Sequence, residues 1–151
     1  MIRSLPLALA PAALLLASGC AKEEELRVAD AWVRMAAVPD SPSAGYFTIH
    51  GGPQDVQLLS VSSPVAIRTE MHETMTGMQG MAAMKPITSV AVPAGEDVAF
   101  APGGRHVMLW GINPGITPPK TLTLIFTFSN GERLQVAAQT VAAGAPAPGK
   151  D

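Results

Sequence analysis

The chain has 151 residues, of which 48% are hydrophobic and 15% charged, with a formal net charge of −2 at pH 7. This composition is that of one globular domain and excludes an intrinsically disordered chain. The aromatic fraction is only 5% and no segment is strongly basic, so we expect no nucleic acid partner. Fourteen glycines and fourteen prolines indicate many turns, which favours an all-β fold.

Residues 1–19 have the layout of a secretory signal. Arg3 supplies a positive charge, residues 5–16 form an apolar run, and small residues occupy positions 17–19 before Cys20. The apolar run is short and interrupted by proline, which argues against a membrane span. The sequence LLASGC resembles a bacterial lipobox, in which the cysteine is lipid-modified and becomes the mature N-terminus. We therefore predict a lipoprotein signal peptide and an extracytoplasmic protein, in the periplasm or cell envelope, attached to a membrane through lipidated Cys20. An ordinary cleaved signal is the alternative.

Cys20 is the only cysteine in the chain, and this limits the chemistry of the domain that follows it. The mature domain has no disulfide and no cysteine ligand for a metal. A blue-copper electron-transfer centre needs a thiolate beside two histidines, so that class of site is excluded. The segment 20–25, which contains the three glutamates 23–25, is interpreted as a short tether.

From residue 26 onward, short strand patterns alternate with turn residues. The clearest strand pattern is TLTLIFTF, and Asn130-Gly131 directly after it predicts a type I′ hairpin. Eight or nine strands of this length predict a β-sandwich domain over residues 26–142, followed by a flexible tail over 143–151. The predicted strands are 28–35, 46–50, 56–61, 66–72, 87–92, 98–100, 105–112, 121–128 and 133–141.

Residues 70–84, EMHETMTGMQGMAAM, contain five of the eight methionines. Four of the five recur every three residues, which is the period of neither a strand nor a helix. Gly77 and Gly80 lie between them and disfavour a helix. We predict a methionine-bearing loop with strand-like ends. Thioethers are soft ligands that favour Cu(I), and imidazole also suits copper.

Two stretches of the chain supply candidate ligands for one copper ion. His106 and Met108 are two residues apart on a predicted strand, so their side chains leave the same face. His72 lies at the end of an earlier strand, and Met84 lies at the far end of the methionine-bearing loop. We predict that His72, Met84, His106 and Met108 converge at the rim of the sandwich and bind Cu(I), with Cu(II) as a second candidate.

The order His72, Met84, twenty-one intervening residues, then His106-Val-Met108 resembles the signature of the periplasmic copper chaperone family PCu(A)C. This resemblance implies an all-β, cupredoxin-like Greek-key β-sandwich with an exposed Cu(I) site and no enzyme activity. It also implies delivery of copper to a membrane-bound cytochrome c oxidase subunit during assembly, or to another copper carrier. The resemblance covers nearly the whole domain and includes AWVR (31–34), SAGY (43–46), VPAG (92–95) and HVMLWGI (106–112).

The first ligand departs from the family pattern. Eleven residues separate His72 from Met84, whereas ten are usual, and the strict position holds Glu73, a hard oxygen donor. Two other functions stay open, namely a copper-dependent redox protein on the same fold and a structural envelope lipoprotein. The residues that stay open as replacements for His72, or as additions to it, are Met71, Met75 and Met81.

Overall fold

The computed structural model describes residues 24–77 and 80–149. The described residues contain ten strands and no helix, which confirms the predicted all-β fold. It follows that this part of the chain holds no helix able to cross a membrane. The strands are β1 (Arg27–Arg34), β2 (Ser43–His50), β3 (Val56–Ser62), β4 (Arg68–Thr76), β5 (Ala82–Ile87), β6 (Val90–Val92), β7 (Asp97–Phe100), β8 (Arg105–Trp110), β9 (Thr121–Phe128) and β10 (Arg133–Val141).

The strands form one continuous hydrogen-bonded sheet that folds back on itself. Its order is β5-β4-β8-β2-β1-β10-β9-β3-β6, and β7 pairs with β2. The pairing of β1 with β10 is parallel, and the other pairings are antiparallel. Strands β2 and β9 are not neighbours in this order, yet Phe47 of β2 meets Phe126 of β9 edge to face at 4.7 Å between ring centroids. The two halves of the sheet therefore pack face to face as a sandwich.

The core of the sandwich follows the predicted alternation. In β9, Leu122, Leu124, Phe126 and Phe128 are at most 4% exposed, whereas the residues between them are partly exposed. Burying one large apolar side chain stabilises the fold by about 1.5–3 kcal/mol. The four buried side chains of this one strand therefore contribute a substantial part of the stabilisation that the core provides. The predicted inward and outward faces of β9 are confirmed.

The hairpin between β9 and β10 is confirmed, but its predicted turn type was wrong. A type I′ turn needs two successive residues with positive φ, and here Gly131 has φ 86° while Asn130 is not left-handed. The Gly131 N–H donates to the Phe128 carbonyl and the Phe128 N–H donates to the Glu132 carbonyl, both at 3.0 Å. This is the longer hairpin loop that ends in a left-handed glycine.

The methionine-rich stretch is more regular than predicted. β4 continues to Thr76 and β5 begins at Ala82, and the two strands pair from Met71 with Ile87 to Thr76 with Ala82. The predicted strand-like ends are confirmed, but the predicted loop was wrong for residues 73–76 and 82–83, which are paired in the two strands. The glycines that suggested a loop fall in the short connection, where Gly80 has φ 75°, a conformation that glycine adopts at little cost.

Other predicted boundaries also differ from the structure. The strand predicted over 87–92 is divided, because β5 ends at Ile87 and β6 begins at Val90 to pair with β3. Ten strands result in place of eight or nine. After β10, the Arg34 Nε–H donates to the Ala145 carbonyl at 3.2 Å, which places part of the tail against β1. The flexibility of the tail stays a prediction.

Candidate metal centre

Strands β5, β4 and β8 are neighbours and carry the four candidate ligands on one face. His72 of β4 lies directly opposite His106 of β8. Met108 follows two residues after His106, and Met84 of β5 lies opposite Thr74, two residues after His72. Directly opposed residues share a face of a sheet, and so do residues two apart on one strand. The structure therefore brings all four predicted residues to the same surface.

The other face of β4 belongs to the core. Met71 is 5% exposed and lies opposite the fully buried Val107, so its thioether packs inside the sandwich. Met75 has the same orientation as Met71 and points away from the face that carries His72. Met81 lies in the exposed connection before β5. Met71, Met75 and Met81 were the alternatives left open as replacements for His72 or additions to it. Of these three, Met71 is a core residue.

The two imidazole rings are close enough to share one ion. The ring centroids of His72 and His106 are 6.0 Å apart and the ring planes differ by 29°. Two imidazoles bound to one metal through bonds of about 2.0–2.1 Å have ring centres about 5–6 Å apart. Among residues 24–77 and 80–149, no three His, Cys, Asp or Glu side chains converge as a metal site. A site here therefore depends on the thioethers of Met84 and Met108.

A backbone carbonyl orients the ring of His106. His106 Nδ1 lies 3.1 Å from the Gly104 carbonyl oxygen, which can only accept, so Nδ1 carries the hydrogen and Nε2 keeps its lone pair. The same carbonyl accepts the Thr74 N–H at 3.2 Å, which links the orientation of the ring to β4. A ligating histidine commonly donates its second nitrogen in this way. Sequence reasoning did not identify Gly104 as a partner, because a backbone acceptor has no side-chain signature.

A carboxylate contacts the ring of His72. His72 Nε2 lies 3.1 Å from Glu70 Oε2, while His72 Nδ1 is buried without a hydrogen-bond partner. A buried polar atom left unpaired costs about 1–3 kcal/mol, so an unpaired nitrogen on this ring fits a metal-binding role. Sequence reasoning assigned no role to Glu70. The available signal was its position two residues before His72 on a strand, which places both side chains on one face.

Aromatic side chains extend the same face toward β1. Trp32 and Tyr46 lie 4.5 Å apart between ring centroids, and the Arg34 guanidinium lies 5.0 Å from the Trp32 centroid. Burial raises the pKa of the Tyr46 hydroxyl above its ordinary value of 10.0, and the Arg34 charge partly offsets this. The hydroxyl is therefore neutral at neutral pH, and this part of the face is a packed aromatic surface beside the candidate centre.

Solved structures with this architecture define the class of domain. A copper-bound PCuAC domain from PmoF2 matches with a TM-score of 0.62 and 18% identity, over 82% of this chain and 96% of that one. The solution structure of CuI-DR1885 from Deinococcus radiodurans matches with a TM-score of 0.57 and 29% identity, over 80% of each chain. The fold is that of PCuAC domains, which confirms the predicted cupredoxin-like β-sandwich.

The sequence comparison then gives the family. Residues 26–140 match the family described as "Putative lipoprotein LpqE-like", and the chain belongs to this LpqE-like family. A relative in Leifsonia xyli subsp. xyli (strain CTCB07), "Putative lipoprotein Lxx21020", is 26% identical over 112 residues, or 74% of this chain and 67% of that protein. The resemblance to PCu(A)C is confirmed by the family and by the PCuAC neighbours. Cys20 lies outside the described residues.

Proposed function

We propose that this protein is an extracytoplasmic copper chaperone that binds Cu(I) through His72, Met84, His106 and Met108. The observation that carries the proposal is the cross-strand pair of His72 and His106. Met108 lies on the same strand as His106, Met84 lies on the strand next to that of His72, and both face the same side. Two structural neighbours are described as copper-bound, one of them with Cu(I), which supports copper as the cargo.

The chemistry of the four donors favours a soft monovalent ion. Imidazole nitrogens and thioether sulfurs are neutral, so binding Cu(I) leaves a single positive charge at the site and requires no anionic ligand. Thioethers contribute little to hard cations such as Mg²⁺ or Ca²⁺, which take oxygen ligands. Cu(II) is the second candidate because the imidazoles bind it as well.

The unequal exposure of the donors suits a carrier that must release its cargo. Met84 is 60% exposed on β5, which is an edge strand of the sheet, whereas His106 is 6% exposed and bonded to Gly104. A donor of the recipient replaces the Met84 thioether first, and the buried histidine releases the ion last. Copper stays Cu(I) throughout, so the transfer exchanges ligands without electron transfer. The proposed recipient is a cytochrome c oxidase subunit during its assembly, or another copper carrier.

Attachment to a membrane completes the proposal. Lipidation of Cys20 would hold the domain near a membrane-bound recipient through the short tether 20–25. Membership of the LpqE-like lipoprotein family supports this attachment. A tethered carrier meets its recipient at a raised effective concentration, which compensates for weak recognition.

A competition titration tests the binding site. The purified protein is titrated anaerobically with Cu(I) against a chelator of known affinity. Replacing both His106 and Met108 with alanine should weaken Cu(I) binding by more than about a hundredfold. Mutating a residue that only hydrogen-bonds to a metal ligand already lowers metal affinity by about 10–100-fold. His50→Ala is the matched control, since His50 bonds Asp97 at 2.6 Å and is not one of the four donors. Parent-like affinity in the double variant would refute the site.

A further inference from the structure

A row of polar contacts runs along the outward face of β4 and ends at His72. We propose that Glu70 is a positioning residue that holds His72 in the tautomer with hydrogen on Nε2, so that Nδ1 binds the copper ion. This inference rests on the proposed function, because it names the nitrogen through which one proposed ligand acts. Its structural half concerns the metal-free protein and is measurable without copper.

The hydrogen-bond geometry selects the tautomer. An ionised carboxylate only accepts hydrogen bonds, so the 3.1 Å contact between Glu70 Oε2 and His72 Nε2 requires the hydrogen on Nε2. The Nδ1 lone pair is then free, and Nδ1 is buried with no partner. A lone pair that no protein donor satisfies is available to a metal ion. The Glu70 carboxylate thus accepts a hydrogen bond from the ring nitrogen that does not bind the metal, as the second partners of metal-bound histidines commonly do.

Glu70 is itself held in place from its other side. Its Oε1 atom lies 3.5 Å from the Arg68 guanidinium, and that guanidinium lies 4.0 Å from the Trp110 ring centroid. Arg68 and Trp110 are directly opposed on β4 and β8, so both strands support this contact. A carboxylate that contacts a guanidinium through one oxygen has fewer alternative positions. The contact with Arg68 therefore favours the position in which Glu70 accepts the hydrogen bond from His72.

The two histidines therefore present different nitrogens to the site. His106 donates Nδ1–H to the Gly104 carbonyl and keeps Nε2 free, whereas His72 donates Nε2–H to Glu70 and keeps Nδ1 free. Nδ1 is nearer to the backbone than Nε2 in the imidazole ring. The proposal thus places the ion closer to β4 than to β8, on the side from which Met84 of β5 approaches.

Nitrogen-15 spectroscopy of the imidazole rings tests the tautomer. Long-range proton–nitrogen spectra of the labelled, copper-free protein at about pH 8.5, above the ordinary histidine pKa of about 6.5, show which nitrogen carries hydrogen. His72 should show Nε2–H and His106 should show Nδ1–H. In Glu70→Ala the His72 signals should become those of a tautomer mixture. Glu73→Ala is the matched control, because Glu73 lies on the opposite face of β4 and bonds Arg105 at 3.3 Å.

Copper affinity tests the consequence. Glu70→Ala should weaken Cu(I) binding by about tenfold, and Glu70→Gln, whose amide oxygen can accept the same hydrogen bond, should retain both the tautomer and the affinity. A parent protein with Nδ1–H on His72, or Glu70→Ala with unchanged affinity, would overturn the proposal. So would a Glu70→Gln variant that keeps the tautomer and loses affinity. Failure of the parent to bind Cu(I) would instead refute the proposed function, whatever the tautomer.

Discussion

Met84 and Met75 are both exposed methionines of the same hairpin, at 60% and 51% exposure. They differ in the face of the sheet from which they project. Met84 lies opposite Thr74, on the face of His72, whereas Met75 lies opposite Ala83 on the other face. At the scale of single residues, the proposed ligand Met84 and Met75, which is not a proposed ligand, have similar exposure, and they differ in the face of the sheet from which the side chain projects.

Met84→Leu should weaken Cu(I) binding by about tenfold, because leucine keeps the apolar volume and removes the sulfur donor. Met75→Leu is the matched control and should leave the affinity unchanged. Both variants are measured by anaerobic competition with a chelator. Equal losses in the two variants would show that the hairpin captures copper without regard to face and would remove Met84 from the proposed ligand set.

At the scale of one element, β4 serves two purposes through its alternation. Its outward side chains include Glu70 and His72, and its inward side chain Met71 packs against Val107 in the core. Slipping the pairing of a strand by one residue exchanges its two faces. The burial of Met71 thus helps to keep His72 on the outside, opposite His106.

Met71→Ala should lower the free energy of unfolding by about 2–5 kcal/mol, because it leaves a cavity in the core. Urea denaturation measures the loss, and Met81→Ala in the exposed connection should change stability by less than about 0.5 kcal/mol. Met71→Leu, which roughly conserves volume, should remain folded and bind Cu(I) like the parent. A folded Met71→Leu protein with weakened Cu(I) binding would instead identify Met71 as a ligand.

At the scale of the whole molecule, the proposed anchor and the proposed site are separate parts of the chain. The candidate ligands lie on β4, β5 and β8, and Cys20, the proposed lipidation residue, precedes these strands in the sequence. The four candidate ligands all lie more than fifty residues after Cys20 in the sequence. Attachment and copper binding should therefore be separable by mutation.

Cys20→Ala should abolish lipid attachment and move the protein from the membrane fraction to the soluble fraction, with Cu(I) affinity unchanged. Cell fractionation and intact-mass spectrometry measure the two effects. Ser18→Ala is the control, since it keeps a small residue in the segment before Cys20 and should preserve lipidation. A parent protein without added lipid mass, or a Cys20→Ala variant that stays in the membrane fraction, would contradict the anchor.

Local patterns in the sequence were sufficient for much of the fold. The bounds of β9 and β10 match the predicted strands, because alternation between a buried and an exposed face is visible along a single strand. The candidate ligands were also recognisable, since sulfur and imidazole donors are properties of the side chains. The hairpin of β4 and β5 was harder to predict. Its methionines occur on both faces of the strands, so apolar and polar residues do not alternate with the two-residue period typical of a strand.

The amino-acid sequence by itself determined the all-β class, the inward face of β9 and the set of candidate donors, since each depends on residue type or local spacing. Only the tertiary structure decided that β4 lies between β5 and β8 with His72 opposite His106, and that Glu70 and the Gly104 carbonyl contact the two rings. The physical reason is that strand neighbours and register result from hydrogen bonds and packing between distant segments, which no local period encodes.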